Sequence, residues 1–246
     1  MTPEFPAPVQ QIFAGVHLHP ALDNAFYTIW MQQPLSSDAV QIFACNYLAR
    51  TSRTATMVAL TILGVENIEV RSRIVDNLFS EYGCGKPERS HIRLLEKYLI
   101  DLLSRVANRA FSPTDLLQIP PLRSTVQFIE KQRELYSSNS PCRVLGAHLA
   151  QEWIAYSMLA KLYEGARQYI SHYRSIEDFH AHCEYFHVHI GETEKAHRRE
   201  AILAAHEMCK TEQDWIDLAF SINCFLDITA GFWNGLADAL PCASSK

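Results

Sequence analysis

Glycine and proline are scarce in this chain of 246 residues, with nine and eleven copies, about 8% together against a usual sum of roughly 12%. So few chain-reversing residues leave little punctuation for a fold of many short strands. Long apolar runs are missing too, since none reaches the roughly 18 residues that a membrane-crossing helix needs. Nor is there a dominant charge: the formal net charge of −5 gives no electrostatic reason to expect nucleic acid or an anionic membrane as a partner. The opening "MTPEFPAPVQQIFAG" has neither the basic start nor the apolar stretch of a secretory signal. The seven cysteines are scattered and include no C-x-x-C pair. An odd, dispersed set reads as reduced thiols in a cytoplasmic protein, not as a disulfide framework or a zinc ribbon. Cys84 or Cys142 could act as a nucleophile, although a small buried hydrophobe is the plainer role for each.

What is present is helical period. "HPALDNAFYTIWMQQ" repeats apolar residues at Leu22, Phe26 and Ile29–Trp30 and stops before Pro34. "SSDAVQIFACNYLARTSRTATMVALTIL" opens on a capping signal and runs on through Val40, Phe43 and Leu48. "ENIEVRSRIVDNLFSEYG" sets Ile68, Val75, Leu78 and Phe79 on one side and ends at Gly83, a natural residue for closing a helix. Further amphipathic runs follow, from "ERSHIRLLEKYLIDLLSRV" to "EQDWIDLAFSINCFLDITAGFWNGLAD". Connections are short, which favours antiparallel neighbours. The expectation is one all-α domain over 1–246, with 1–15 and 240–246 less ordered.

Acidic residues and histidines carry the chemistry. "YFHVHIGETEKAHRREA" (185–201) packs three histidines and three glutamates into seventeen positions. Glu-x-x-His, which places two metal-binding groups on one helical face, occurs at Glu88–His91, Glu177–His180 and Glu194–His197. Eleven histidines make chance matches easy, so context has to sort them. Glu81 ends one predicted helix and His91 begins the next, so the two face each other across "YGCGKPERS". Glu152 sits inside the mostly apolar "LGAHLAQEWIAYSML" and is expected to point inward. A lone buried carboxylate is costly unless paired or bound to metal, and a buried Arg is the alternative partner. His148, one turn earlier, reads as a supporting or core histidine.

Four segments, in order, resemble the haem-oxygenase-like di-iron oxidases and oxygenases. These are "AFYTIWMQQPLSSDAVQIFACNYL", "IVDNLFSEYGCGKPERSHIRLL", "GAHLAQEWIAY" and the histidine-rich stretch. The resemblance implies a haem-oxygenase-like helical bundle, related to the TenA and PqqC folds. It implies two irons held by Glu81, His91, Glu152, His189, Glu194 and His197, with O2 as co-substrate. Glu88 rivals Glu81 through its own spacing. A small metabolite is implied as substrate, an amino acid or its derivative, undergoing N-oxygenation, desaturation or C–C scission in a biosynthetic route. An external electron donor and a homodimer are compatible with it. The family pattern departs here in one place: Glu194 and His197 arrive one residue late relative to His189, about 140° around a straight helix for Glu194. A π-bulge between His189 and Glu194 would absorb the extra residue; otherwise Glu192 supplies the carboxylate. Leu162, with Lys161 beside it, stands where the para-aminobenzoate-forming branch carries a modified lysine, which argues against self-consuming chemistry. The competing reading is a metal-independent, thiaminase-like hydrolase or small-molecule-binding protein on the same fold, which needs a catalytic cysteine beside Glu and Tyr.

Overall fold

The computed structural model describes residues 4–241, except Gly191 and the side chains of Glu192, Thr193 and Glu194. Helices make up nearly all of it: α1 (Ala7–Gly15), α2 (Ala25–Gln32), α3 (Ser37–Thr51), α4 (Thr54–Gly64), α5 (Ile68–Glu81), α6 (His91–Val106), α7 (Pro113–Leu117), α8 (Arg123–Tyr136), α9 (Pro141–Ala166), α10 (Ile176–His182), α11 (Glu184–His189), α12 (Glu192–Met208) and α13 (Glu212–Ala239). No strand occurs among the described residues, so the all-α expectation stands.

Polar side chains open these helices by accepting backbone N–H groups that have no partner inside the helix. Asn24 accepts from Tyr27 before α2, Ser36 from Ala39 before α3, and Asn67 from Val70 before α5. Thr211 and Asp214 form a reciprocal box at the start of α13.

The long helix α9 runs through the middle, packed against α13, α12, α2, α8, α4 and α11. Leu145, Leu149, Ile154, Leu159 and Leu162 are buried along it, each side chain contributing roughly 1.5–3 kcal/mol of hydrophobic stabilisation. Its approach to α13 is close enough to require glycine. A Cβ on Gly146 would collide with the Leu218 carbonyl oxygen and reach 2.9 Å from the Ser221 Cβ. α13 itself is apolar and long enough, by composition alone, to cross a membrane. Here it is a core helix, with Leu218, Ile222, Phe225, Phe232 and Trp233 buried inside the bundle.

Three expectations need correction. The stretch from Ser36 onward does not continue as one helix: it breaks at Ser52–Arg53 into α3 and α4, with Ser52 Oγ donating to the Ala49 carbonyl. Residues 4–15 are more ordered than expected, because Phe5, Val9 and Phe13 are buried and Phe13 stacks on Trp153 at 3.6 Å; residues 1–3 lie outside the described residues. At the far end, 242–246 lie outside the described residues. The third correction concerns α5. Ile68, Val75 and Phe79 are exposed, and the buried members are Val70, Ile74 and Asn77. Glu81 continues that inner stripe one turn on, so α5 turns a partly polar face inward.

Candidate metal centre

Glu81 is the last residue of α5, and the turn after it brings the chain straight back. Cys84 N–H donates to the Phe79 carbonyl and Gly83 N–H to the Ser80 carbonyl, the paired bonds that close a helix with a left-handed residue. Gly83 has φ +77°, and a Cβ there would run into the backbone of Lys86, Arg89 and Ser90. The reversal delivers His91 at the first position of α6, its Nδ1 3.3 Å from Glu81 Oε1. The contact is off line for a hydrogen bond, and Nδ1 of His91, which is buried, has no hydrogen-bond partner among the described residues. Glu88, the rival to Glu81, is exposed.

His189, the last residue of α11, lies against His91 with ring centroids 4.2 Å apart. Its Nδ1 bonds to the Tyr185 carbonyl. A carbonyl can only accept, so Nδ1 carries the proton and Nε2 presents a lone pair, the tautomer a metal ligand requires. The Tyr185 hydroxyl is in turn 3.0 Å from that of Tyr47.

Glu152 lies at the middle of α9 and is buried, as expected from the apolar run around it. His148, one turn earlier, has Nδ1 3.8 Å from Glu152 Oε1, and His197 on α12 has Nδ1 4.0 Å from Oε2. Gln151 Nε2 donates to Oε1 at 3.3 Å, while the Gln151 carbonyl oxygen accepts from the Tyr136 hydroxyl at 3.1 Å. Among the described residues, Nδ1 of His148 and both polar atoms of Asn77 are buried without hydrogen-bond partners. No arginine pairs with Glu152 among the described residues, so the alternative partner for that carboxylate is not there.

Electrostatics divide the group. Burial pushes the Glu152 carboxyl up from its usual range. Burial also raises Glu81, but contact with His91 and the nearby imidazoles of His189 and His197 outweigh it and leave Glu81 below the usual value. Burial lowers His148 to about 4, His189 to about 3, and His197 as well. Those three imidazoles are therefore neutral at physiological pH, the form in which they bind metals.

The expected one-residue mismatch after His189 is not met by a bulge inside one helix. α11 ends at His189, Ile190 adopts φ −90°, ψ 27°, and α12 begins at Glu192. Two helices meet where one was expected, and His197 is buried on the second. The choice between Glu192 and Glu194 falls outside the described residues. Of the other histidines, His180 meets the Tyr163 hydroxyl at 2.9 Å and His182 packs among Arg105, Asp101 and Asp178.

Glu81, His91, Glu152 and His189 line one cavity of ≈ 170 Å³, whose other walls include Arg50, Tyr47, Tyr185, Met158, Leu159 and Phe225. His148, His197 and Asn77 line a second cavity of ≈ 330 Å³. Among the described residues, no three His, Cys, Asp or Glu side chains stand close enough around one point to hold an ion. In kind, the donor set fits iron: two carboxylates and at least three neutral imidazoles, a hard–borderline mixture suited to ferrous and ferric states. The unpartnered nitrogens of His91 and His148 fit it too, because buried polar atoms without a partner are rare in a finished fold.

Sequence reasoning passed over Arg50 and Asn77. Each had a signal. Arg50 continues the Val40–Phe43–Tyr47 stripe of α3, and Asn77 continues Val70–Ile74 on α5; a polar residue on a core stripe is worth pursuing.

Comparison with known proteins agrees with this picture. No curated protein matches the sequence. A CADD-like protein of unknown function from Nostoc punctiforme is similar in structure, with a TM-score of 0.75 at 15% identity, covering 95% of this chain and 96% of that one. A TenA homologue from Pseudomonas syringae gives 0.74 at 14% identity, covering 95% and 94%. A domain of unknown function with a haem-oxygenase-like fold from Shewanella denitrificans gives 0.66 at 16% identity, covering 93% and 88%. At such identities the likeness establishes the fold. Residues 41–230 match the family described as iron-containing redox enzymes, and with most of the chain inside that match, the protein belongs to the haem-oxygenase-like, iron-containing redox enzyme family.

Proposed function

We propose that the protein is a non-haem di-iron, O2-dependent oxidase or oxygenase acting on a small metabolite. Glu81, His91, Glu152, His189, Glu194 and His197 would hold the two irons. The observation that carries the reading is Glu152, a buried carboxylate flanked by neutral imidazoles and with no Lys or Arg ion-paired to it among the described residues. Such a group is costly to keep unless something positive is meant to sit beside it.

Iron in this position would supply the O2 reduction and the electron removal that no side chain can perform. The chain's own residues do the rest. The Tyr185 carbonyl fixes the His189 tautomer, and Gln151, steadied by Tyr136, orients Glu152. The apolar walls Met158, Leu159 and Phe225 keep bulk water away from the reacting volume. The substrate would be an amino acid or its derivative, and an external donor would return electrons between turnovers. The metal-independent hydrolase has less support, because no cysteine among the described residues lines the ≈ 170 Å³ cavity, where such an enzyme needs its nucleophile.

Anaerobic ferrous loading of the full chain, followed by metal analysis, tests the reading. Close to two irons per chain are expected, with a transient visible band on adding O2. Glu194→Ala should cost more iron than Glu192→Ala. An intact helical spectrum with no iron above background would sink the proposal.

A further inference from the structure

Arg50, near the end of α3, is 7% exposed, and its surroundings explain only part of its presence. Its guanidinium carbon lies 4.6 Å from the centroid of the Phe128 ring, 5.3 Å from Phe232 and 5.9 Å from Trp233. These rings cover one face of the fork and help the cation tolerate burial. They leave a donor unspent: among the described residues, Nε is buried without a hydrogen-bond partner, and no carboxylate forms an ion pair with Arg50. The groups that surround it electrostatically are Tyr47, Tyr27, Tyr185 and Tyr136. Burial raises Tyr27 and Tyr136 well above the usual tyrosine value, so these two stay protonated and supply no counter-charge. A buried cation lacking a partner is as costly as the buried carboxylate across the cavity.

Arg50 lines the same ≈ 170 Å³ cavity as Glu81, His91, Glu152 and His189. It comes from α3 and leans on α8 and α13, whereas Glu81, His91 and His189 come from α5, α6 and α11. We infer that Arg50 is the anchor for a substrate carboxylate, and that the substrate is a small monocarboxylate held between this guanidinium and the metal-binding wall. The inference rests on reading that cavity as the substrate site of the proposed enzyme.

Three features set the class. A planar fork of donors matches a carboxylate by paired hydrogen bonds. One guanidinium balances one negative charge, whereas a phosphate ester carries roughly −1.5 to −2 near neutral pH and would leave part of its charge unbalanced. The volume of ≈ 170 Å³ is close to the ~150 Å³ of a cavity that accepts benzene, which suits a ring-sized or branched-chain acid.

Calorimetric titration of the metal-free full chain tests this without involving iron. The probes are benzoate, 3-methylbutanoate, hexanoate and leucine, each beside its primary amide, with inorganic phosphate as a separate arm. At least one carboxylate should bind roughly 10- to 100-fold more tightly than its amide, the range expected for hydrogen bonds to a charged group. Arg50→Gln should remove that preference while leaving the amide's affinity unchanged. Arg50→Lys, which keeps the charge over the rings but loses the fork, should retain part of it, and it serves as the readout should Arg50→Gln fail to fold. The assignment is overturned if carboxylate and amide bind alike, if the preference survives in Arg50→Gln, or if no carboxylate binds. Tighter binding of phosphate would overturn the carboxylate class. Iron content, measured separately, keeps the two ideas apart: carboxylate selectivity without iron binding would sink only the di-iron reading, and the reverse only the role of Arg50.

Discussion

Replacing Glu152 by glutamine keeps the side chain's volume and removes its charge, so no cavity cost clouds the result. In the metal-free protein, Glu152 is buried beside His148 and His197, both of which burial keeps neutral, and its carboxyl is pushed upward. An unbalanced polar group in such a place costs about 1–3 kcal/mol. Taking 2 kcal/mol, and a change of roughly 2–4 °C per kcal/mol for a chain of this size, Glu152→Gln should raise the melting temperature of metal-free protein by about 4–8 °C at neutral pH. Iron should reverse the order. Ferrous iron at a hundred times its dissociation constant adds about 2.7 kcal/mol to a protein that binds it only when folded, and the variant should forgo that gain. The sign with pH is fixed as well. A carboxyl whose folded value is raised costs nothing below its unfolded value near 4.3, so the advantage of the variant should fade as pH falls toward 4. Differential scanning calorimetry of both proteins, with and without iron, at pH 7 and pH 4, reads all of this. A metal-free variant less stable than the parent, or an equal rise with iron in both, would refute the reasoning.

Two further expectations concern packing and acid. Gly146→Ala drives a methyl group into the Leu218 carbonyl and Ser221 and should destabilise by about 1–3 kcal/mol. Gly231→Ala, in α13 with nothing within 4 Å, should instead stabilise by about 0.5–1 kcal/mol; equal effects in thermal melts would show that the α9–α13 contact is not tight. Metal-free protein should lose stability as pH falls from about 6.5, where an unfolded histidine begins to take up protons, toward about 4. His148, held down to about 4 by burial, contributes up to about 3 kcal/mol of that loss, so urea melts of a His148→Leu variant should show a shallower decline over this window. An unchanged decline would remove His148 from the account.

The sequence announced the helices and their caps because period and capping are local properties, visible within one turn of chain. Asn67, Ser36 and Gly83 do in the structure what their types suggest. Facing Glu81 and His91 across a short connection was legible for the same reason. The face of α5 was not. Three of its large apolar residues, Ile68, Val75 and Phe79, look outward, and its inner stripe carries Asn77 and Glu81 beside Val70 and Ile74. A rule that sends the greasiest stripe inward fails where the core is built to hold polar chemistry. Arg50 escaped notice for a related reason. Its meaning depends on Phe128, Phe232 and Trp233, rings brought from distant segments, and no local pattern in "LARTSR" points to them. The junction of α11 and α12 was legible as a misfit in spacing, though not as a break between two helices.

The inner stripe of α5 bears on how long the protein survives. Val70 and Ile74 anchor the first half of the helix in the core, while the second half offers Asn77 and Glu81 to the interior and Val75 and Phe79 to water. In this half Leu78 alone packs against the apolar core, and without a metal a segment so thinly held opens first. On the di-iron reading, a cell short of iron would hold a larger fraction of molecules with this hairpin released and open to proteases. Abundance would then follow iron supply with no change in synthesis, since a shift of 1–2 kcal/mol is enough to alter steady-state levels several-fold.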